Sequence, residues 1–151
     1  MTLGIVLSTF NGEKFIESQI ESIINQTYKD WQLLICDDVS QDNTVKLLDY
    51  YSKKDSRISY KKNNKRLGPT LSFLKLLRIS KCKYVIFCDQ DDEWPPNKLE
   101  EIYKFINFHK KDFIMGLHNG EFLINNNKVH FFNTKQISDK DWIYPEKPDL
   151  R

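Results

Sequence analysis

Three strand-length apolar runs, Leu3–Leu7 (LGIVL), Trp31–Cys36 (WQLLIC) and Lys83–Cys88 (KYVIFC), each break off at a polar cluster. Apolar residues at helical spacing follow each of them. Runs so short and so continuously apolar are the pattern of strands covered on both faces. Strands of that kind alternating with helices leave few architectures open. The simplest is an α/β fold: a mostly parallel sheet with right-handed crossovers, flanked by helices. In such a sheet the ligand crevice lies beyond the carboxyl ends of the strands. Ser8-Thr9-Phe10-Asn11, Asp37-Asp38 and Asp89-Gln90-Asp91-Asp92 stand at those ends, so three polar clusters far apart in the chain converge on one edge.

The remaining elements fit this frame. Phe15, Ile16, Ile20, Ile23 and Ile24 recur at helical spacing. Ser40 and Asp42 are good capping types before a second helical face of Val45, Leu48 and Tyr51. Ile58–Tyr60 is a short strand, and the polar, basic KKNNKR follows it. Gly68-Pro69 opens a helix whose face is Leu71, Leu74 and Ile79, with proline in the tolerated first turn. Asn97 with Glu100 resembles a capping box before Leu99, Ile102, Tyr103 and Ile106. Phe113–Leu117 reads as a further strand. Glu121–Ile124 and Lys128–Phe132 read as a hairpin around Asn125-Asn126-Asn127. Residues 1–137 are thus expected to form one domain, with 138–151 a loosely held polar tail.

Composition excludes several classes. With 40% hydrophobic and 29% charged residues the chain is too apolar to be disordered. A net charge of +2 gives no argument for nucleic acid. No apolar run approaches the ~18 residues of a membrane span, and MTLGIVLSTFNG lacks the basic start of a signal peptide. The cytoplasm is the expected location. Cys36, Cys82 and Cys88 have no metal-ligand spacing, and Cys36 and Cys88 read as small core residues. His109, His118 and His130 are scattered.

The chemistry is concentrated at Asp89, Asp91, Asp92 and Glu93, four acids in five positions at the end of a buried strand. Like charges that close repel, and each is costly to desolvate. Clustered carboxylates without paired cysteines or histidines suit a hard cation, magnesium or manganese, which keeps several waters and shares its coordination with a substrate's phosphates. A metal-bridged diphosphate explains why the acids are tolerated. Phe10 can offer a stacking face to a base and Asp38 an acceptor for its ring N–H. The bland readings are a solvated acidic loop, a helix cap at Asp42 and plain packing at Trp94.

The stretches STFNGEKFIESQIESIINQTYKDWQLLICDDVSQDNT, RLGPTLSFLKLL and YVIFCDQDDEWPPNKL together resemble the family 2 glycosyltransferases of the GT-A, Rossmann-like fold, closest to bacterial rhamnosyltransferase-like members that build surface polysaccharides. The resemblance covers residues 3 to about 110 and implies a nucleotide-diphosphate sugar donor, a divalent metal (Mn or Mg), and inversion at the anomeric carbon. Carried over by position, Ser8, Thr9 and Phe10 line the nucleotide and Asp38 meets the base. The family's Asp-x-Asp motif falls on Asp89-Gln90-Asp91-Asp92: Asp89 and Asp91 touch the nucleotide, and Asp91 and Asp92 hold the metal. The implied acceptor is a saccharide or a lipid-linked saccharide. That is compatible with the inner face of the membrane, with peripheral membrane association and with a partner chain.

The chain also departs from the family pattern. Val39 stands where glycine is usual, so that turn is expected to take a conformation that a β-branched residue accepts. Arg66 and Ser72 stand where asparagine is frequent, and His118-Asn119-Gly120 where an aspartate is often found. The general base normally lies beyond Arg151. No catalytic residue is assigned, Glu121 being only the nearest candidate, and the chain alone is expected to bind donor but transfer sugar poorly. Three other readings stay open. A haloacid-dehalogenase phosphatase would need its aspartates after the first strand. A nucleotidyltransferase would need a glycine-rich loop where STFNGEKF has one glycine. The third is a truncated, non-catalytic nucleotide-sugar-binding fragment.

Overall fold

The computed structural model describes residues 1–109 and the strand residues 121–124 and 127–130. In chain order the elements are β1 (Leu3–Thr9), α1 (Ile16–Ile24), β2 (Trp31–Asp37), α2 (Thr44–Lys54), β3 (Ile58–Lys62), α3 (Pro69–Ile79), β4 (Tyr84–Asp89), α4 (Lys98–His109), β5 (Glu121–Ile124) and β6 (Asn127–His130). The chain divides into two compact units, Met1–Lys110 and Lys111–Arg151.

In the first unit four strands form one sheet in the order β3-β2-β1-β4, every pair parallel. Each strand runs one or two residues past its apolar run, so β1, β2 and β4 finish in register at one edge: Ser8 lies beside Cys36 and Asp89, and Thr9 beside Asp37. Successive side chains point to opposite faces. On one face Val6 and Cys36 pack with Leu76 of α3, beside Leu34, Phe73 and Val85. On the other, Ile5, Leu7, Leu33 and Ile35 are fully buried, as are Ile16, Ile20 and Ile23 of α1 and Leu48 and Tyr51 of α2. Cys36 and Cys88 are buried free thiols, as their apolar settings imply.

The second unit contributes a described hairpin. β5 pairs antiparallel with β6, Ile124 facing Asn127, so Asn127 belongs to the strand. The expected strand Phe113–Leu117, the tail 138–151 and the 137/138 boundary lie outside the described residues.

Three local expectations need correction. Helix α3 does not bury Leu71 and Leu74, which are 51% and 45% exposed; it buries Ser72 and Leu76. The inward side carries Leu76, packed with Val6 and Cys36, and Ser72, whose Oγ accepts from Asn63 Nδ2 at 3.1 Å. Glu100 does not close a capping box on Asn97. Its carboxylate accepts instead from Thr27 Oγ1 (2.9 Å) and pairs with Lys104 (3.2 Å). Finally, Val39 keeps the glycine conformation, with φ at 69°. A β-branched residue in the left-handed region is strained, and the surrounding turn holds it there.

Candidate functional site

Beyond the ends of β1, β2 and β4 lies a cleft of about 310 Å³. Ser8, Thr9 and Phe10 line it from β1, Asp38 from β2, and Asp89, Gln90 and Asp91 from β4. Arg66, Gly68 and Pro69 close it from the β3–α3 connection. All six residues assigned from the sequence to nucleotide contact are thus brought around one cavity. Asp92 is not among the lining residues; it is exposed, and its N–H donates to the Asp89 carbonyl at 3.4 Å.

Asp38 is buried and heavily engaged. Its Oδ1 accepts from Asn63 Nδ2 and from the Leu67 N–H, and its Oδ2 from the Gly68 N–H, each at 2.8 Å. Burial alone would raise its pKa. The Asn63, Leu67 and Gly68 donors, with the Arg66 charge behind them, outweigh burial and hold it below the usual carboxylate range. A carboxylate offers about four acceptor positions, so three bonds leave room for one more donor. Asp38 therefore latches the β3–α3 connection as well as facing the cleft. That latch carries Arg66 into place, its guanidinium 3.7 Å from the centre of the Phe10 ring, within cation–π range. The signal for Arg66 in the sequence was only its departure from the family pattern.

The loop after β1 is tied down from several directions. Asn11, with φ at 49°, is of a type that tolerates the left-handed region. Its N–H donates to Ser40 Oγ (2.9 Å), the Gly12 N–H to Thr44 Oγ1 (2.8 Å) and the Glu13 N–H to Asp42 Oδ2 (3.0 Å). Asp42 also accepts from the Thr44 N–H at 3.0 Å, an Asx turn leading into α2; the N-cap position itself is Asn43, one residue later than expected, and its side chain makes no capping bond. Ser40 serves the neighbouring loop instead.

The acidic segment is held by polar residues on α1 and just after it that sequence reasoning missed. Gln19 Nε2 donates to Cys88 Sγ (2.7 Å), and Ser22 Oγ accepts from the Trp94 N–H (3.1 Å). Gln26 takes the Leu99 N–H on its oxygen (2.9 Å) and donates to the Pro95 carbonyl (2.8 Å). Positions 19 and 22 share a face of α1, Gln26 follows two residues past its end, and two polar residues among buried isoleucines were the available sign. Trp94 is buried and packs beneath Lys98, 4.4 Å from its ring, as the packing reading expected.

Desolvation, then the Asp92 and Asp91 charges, push the Asp89 carboxyl above its ordinary range. Burial likewise lowers the Lys98 ammonium, against the pull of Asp92. Among the described residues no group of three or more His, Cys, Asp or Glu side chains is arranged to hold a metal by itself. Two carboxylates on one rim, Asp89 and Asp91, do fit a magnesium or manganese ion that takes its remaining oxygens from water and phosphate. The cleft can therefore take a flat apolar group against Phe10, an N–H donor at Asp38, and an anion accompanied by a divalent cation at Asp89 and Asp91.

Comparison with known proteins gives the family and the fold. A family model described as "Glycosyl transferase family 2" matches residues 4–149. The chain is 34% identical over 128 residues to the Escherichia coli UDP-Glc:alpha-D-GlcNAc-diphosphoundecaprenol beta-1,3-glucosyltransferase WfgD, covering 84% of this chain and 48% of that protein. It thus spans about half the length of that relative. Among solved structures, S. aureus TarS 1-349 in complex with UDP has a TM-score of 0.68 at 24% identity, over 73% of this chain and 33% of TarS. The mannosyltransferase PcManGT from Pyrobaculum calidifontis, solved with GDP-Man and Mn2+, has a TM-score of 0.64 at 20% identity, over 69% of this chain and 32% of its own. At those identities the likeness establishes the fold, the GT-A arrangement of a mostly parallel sheet flanked by helices.

Proposed function

Because the chain belongs to glycosyl transferase family 2, we propose that its cleft binds the nucleoside diphosphate of a sugar donor together with Mn2+ or Mg2+, as the donor site of an inverting glycosyltransferase. One observation carries this reading: an aromatic ring, an N–H acceptor and a pair of carboxylates meet in one cleft at the carboxyl edge of a parallel sheet. Phe10 supports the base, Asp38 orients it through its remaining acceptor position, and Ser8 and Thr9 border the ribose. Asp91, beside Asp89, holds the metal. Asp92 adds charge from outside the lining. When bound, the metal supplies charge neutralisation for the departing diphosphate.

The acceptor hydroxyl then attacks the anomeric carbon from the side opposite the diphosphate, its proton passing to a base that is not assigned among the described residues. The acceptor is a saccharide or lipid-linked saccharide of a surface polymer, in keeping with the diphosphoundecaprenol in the name of the E. coli relative. A lipid-linked acceptor would place the reaction at the cytoplasmic face of the membrane, reached by peripheral association. No described helix is long and apolar enough to cross a membrane.

Calorimetric titration of uridine, thymidine and guanosine diphosphates tests the reading, run with Mn2+ and again with chelator. At least one should bind, and chelator should weaken it tenfold or more, since a lost charge-assisted contact is worth roughly 1.5–3 kcal/mol. Equal affinity in both conditions would remove the metal from the account. No binding at all would remove the nucleotide.

A further inference from the structure

The middle residue of the acidic loop is not a spacer. Gln90 Oε1 accepts two hydrogen bonds from the end of β1, one from Thr9 Oγ1 at 2.7 Å and one from the Phe10 N–H at 3.0 Å. The Phe10 N–H is an obligate donor, so the atom facing it must be the amide oxygen. A second observation shows that this contact is built into the fold. A Cβ on Gly12 would stand 2.6 Å from both Gln90 Oε1 and Thr9 Oγ1, so the chain leaves room for the amide with a glycine. Downstream, Ser22 holds the Trp94 N–H. The exposed acids at 91, 92 and 93 are strung between these anchors, and Asp89, the last residue of β4, immediately precedes the first. Left untied, four mutually repelling carboxylates in five positions would spread toward solvent.

We propose that Gln90 is the positioning residue of the acidic loop: its side-chain oxygen ties the loop to β1 and presents Asp89 and Asp91 to the cleft as a preset pair for a divalent cation. The inference deepens the proposed function and rests on it. A neutral acceptor is suited to the task, because it satisfies two donors without adding a further charge beside the pair. Preorganisation matters here because holding a ligand pair in place before the ion arrives removes an ordering cost from binding.

The test uses the 151-residue chain, its Gln90→Leu variant, which removes the acceptor at similar volume, and its Gln90→Glu variant, which keeps one. Two quantities are measured: Mn2+ binding alone, from loss of the free-ion electron paramagnetic resonance signal, and uridine diphosphate affinity with and without Mn2+. Gln90→Leu should lose at least fivefold in Mn2+ affinity and in the Mn2+ enhancement of nucleotide binding. Its metal-free nucleotide affinity should fall by less than its affinity in Mn2+, although Thr9 and Phe10 lose the same anchor. Gln90→Glu, which keeps the acceptor and adds a charge, should keep at least the parent's enhancement, and hydrogen exchange at the Phe10 amide should speed up only in Gln90→Leu.

A merely structural glutamine would lower thermal stability and leave the enhancement unchanged, which would overturn the proposal. Equal loss in both variants would overturn it too, because the acceptor would then not be the cause. If Mn2+ binds the parent and not Gln90→Leu while no nucleotide binds either, the positioning role stands and the donor-site reading falls. If neither ligand binds the parent, both fall. Should Gln90→Leu not fold, Gln90→Asn, one methylene short of β1, takes its place with the same expected losses.

Discussion

Replacing Asp38 by asparagine should destabilise the fold even though the two side chains have nearly the same shape. The carboxylate, only 2% exposed, accepts from the Leu67 N–H on Oδ1 and the Gly68 N–H on Oδ2, both at 2.8 Å, while Asn63 Nδ2 shares Oδ1. Both backbone donors are obligate. An amide has one oxygen, so whichever way the substituted side chain turns, its NH2 meets at least one N–H. The least costly arrangement loses one charge-assisted bond, about 1.5–3 kcal/mol, and leaves a donor that water reaches because Leu67 and Gly68 are only partly buried. A net loss of about 2 kcal/mol follows, a fall in Tm of roughly 4–8 °C for a chain of this size.

Urea unfolding of parent and Asp38→Asn measures the difference, and hydrogen exchange at Leu67 and Gly68 locates it. The acid dependence provides a second check. Asp38 has a depressed pKa in the folded state, so its contribution is complete above the unfolded carboxylate value of about 3.9. It is lost as pH falls through the lower folded value. The two proteins should therefore converge in strong acid. A difference under about 0.5 kcal/mol at neutral pH, the usual range for an uninvolved surface site, would refute the latch. So would a difference that acid leaves unchanged.

Two other substitutions probe the same edge. Val39→Gly should stabilise the chain by about 0.5–1 kcal/mol, since relief of the left-handed strain at φ 69° exceeds the extra entropy of an unfolded glycine; a lower urea midpoint for the variant would show that the turn is not strained. Asp91→Asn should raise Tm slightly near pH 7, by a few tenths of a kcal/mol after solvent screening, because it removes one of the charges that hold Asp89 high. For an acid with a raised folded pKa, stability is greatest below the unfolded value and falls as pH rises through the folded one, so the gain should disappear below about pH 4. A gain that persists in acid, or unchanged Mn2+ affinity in the variant, would make the cluster a plain solvated loop.

The sheet and its functional edge were legible because both follow from local pattern. Continuous apolar runs mark strands buried on both faces, and parallel connection then forces Thr9, Asp38 and Asp89 to one side. What escaped was set by contacts between distant segments. Nothing in KKNNKR distinguishes Asn63, buried and bonded to Asp38 and Ser72, from its exposed neighbour Asn64. Asn63 also bonds Ser72 on the inward side of α3, beside Leu76, while Leu71 and Leu74 stand outside despite their helical spacing. Gln90 reaches Thr9 across 81 positions of sequence, and no periodicity records such a bond. At Val39 a general steric rule was overridden by a turn that neighbouring bonds hold shut, the Ser40 N–H donating to Asp37 Oδ2 (3.1 Å) and the Gln41 N–H to Asn11 Oδ1 (2.9 Å).

The central claim is that one cleft holds both the nucleotide and its metal. A crystal of the chain grown with uridine diphosphate and Mn2+, measured at a wavelength where manganese scatters anomalously, tests it directly. The account predicts an anomalous peak in coordinating distance of Asp91 or Asp89 that also touches the diphosphate, with the base against Phe10 and its ring N–H on Asp38. An anomalous peak elsewhere, or a nucleotide bound away from this edge of the sheet, would contradict it.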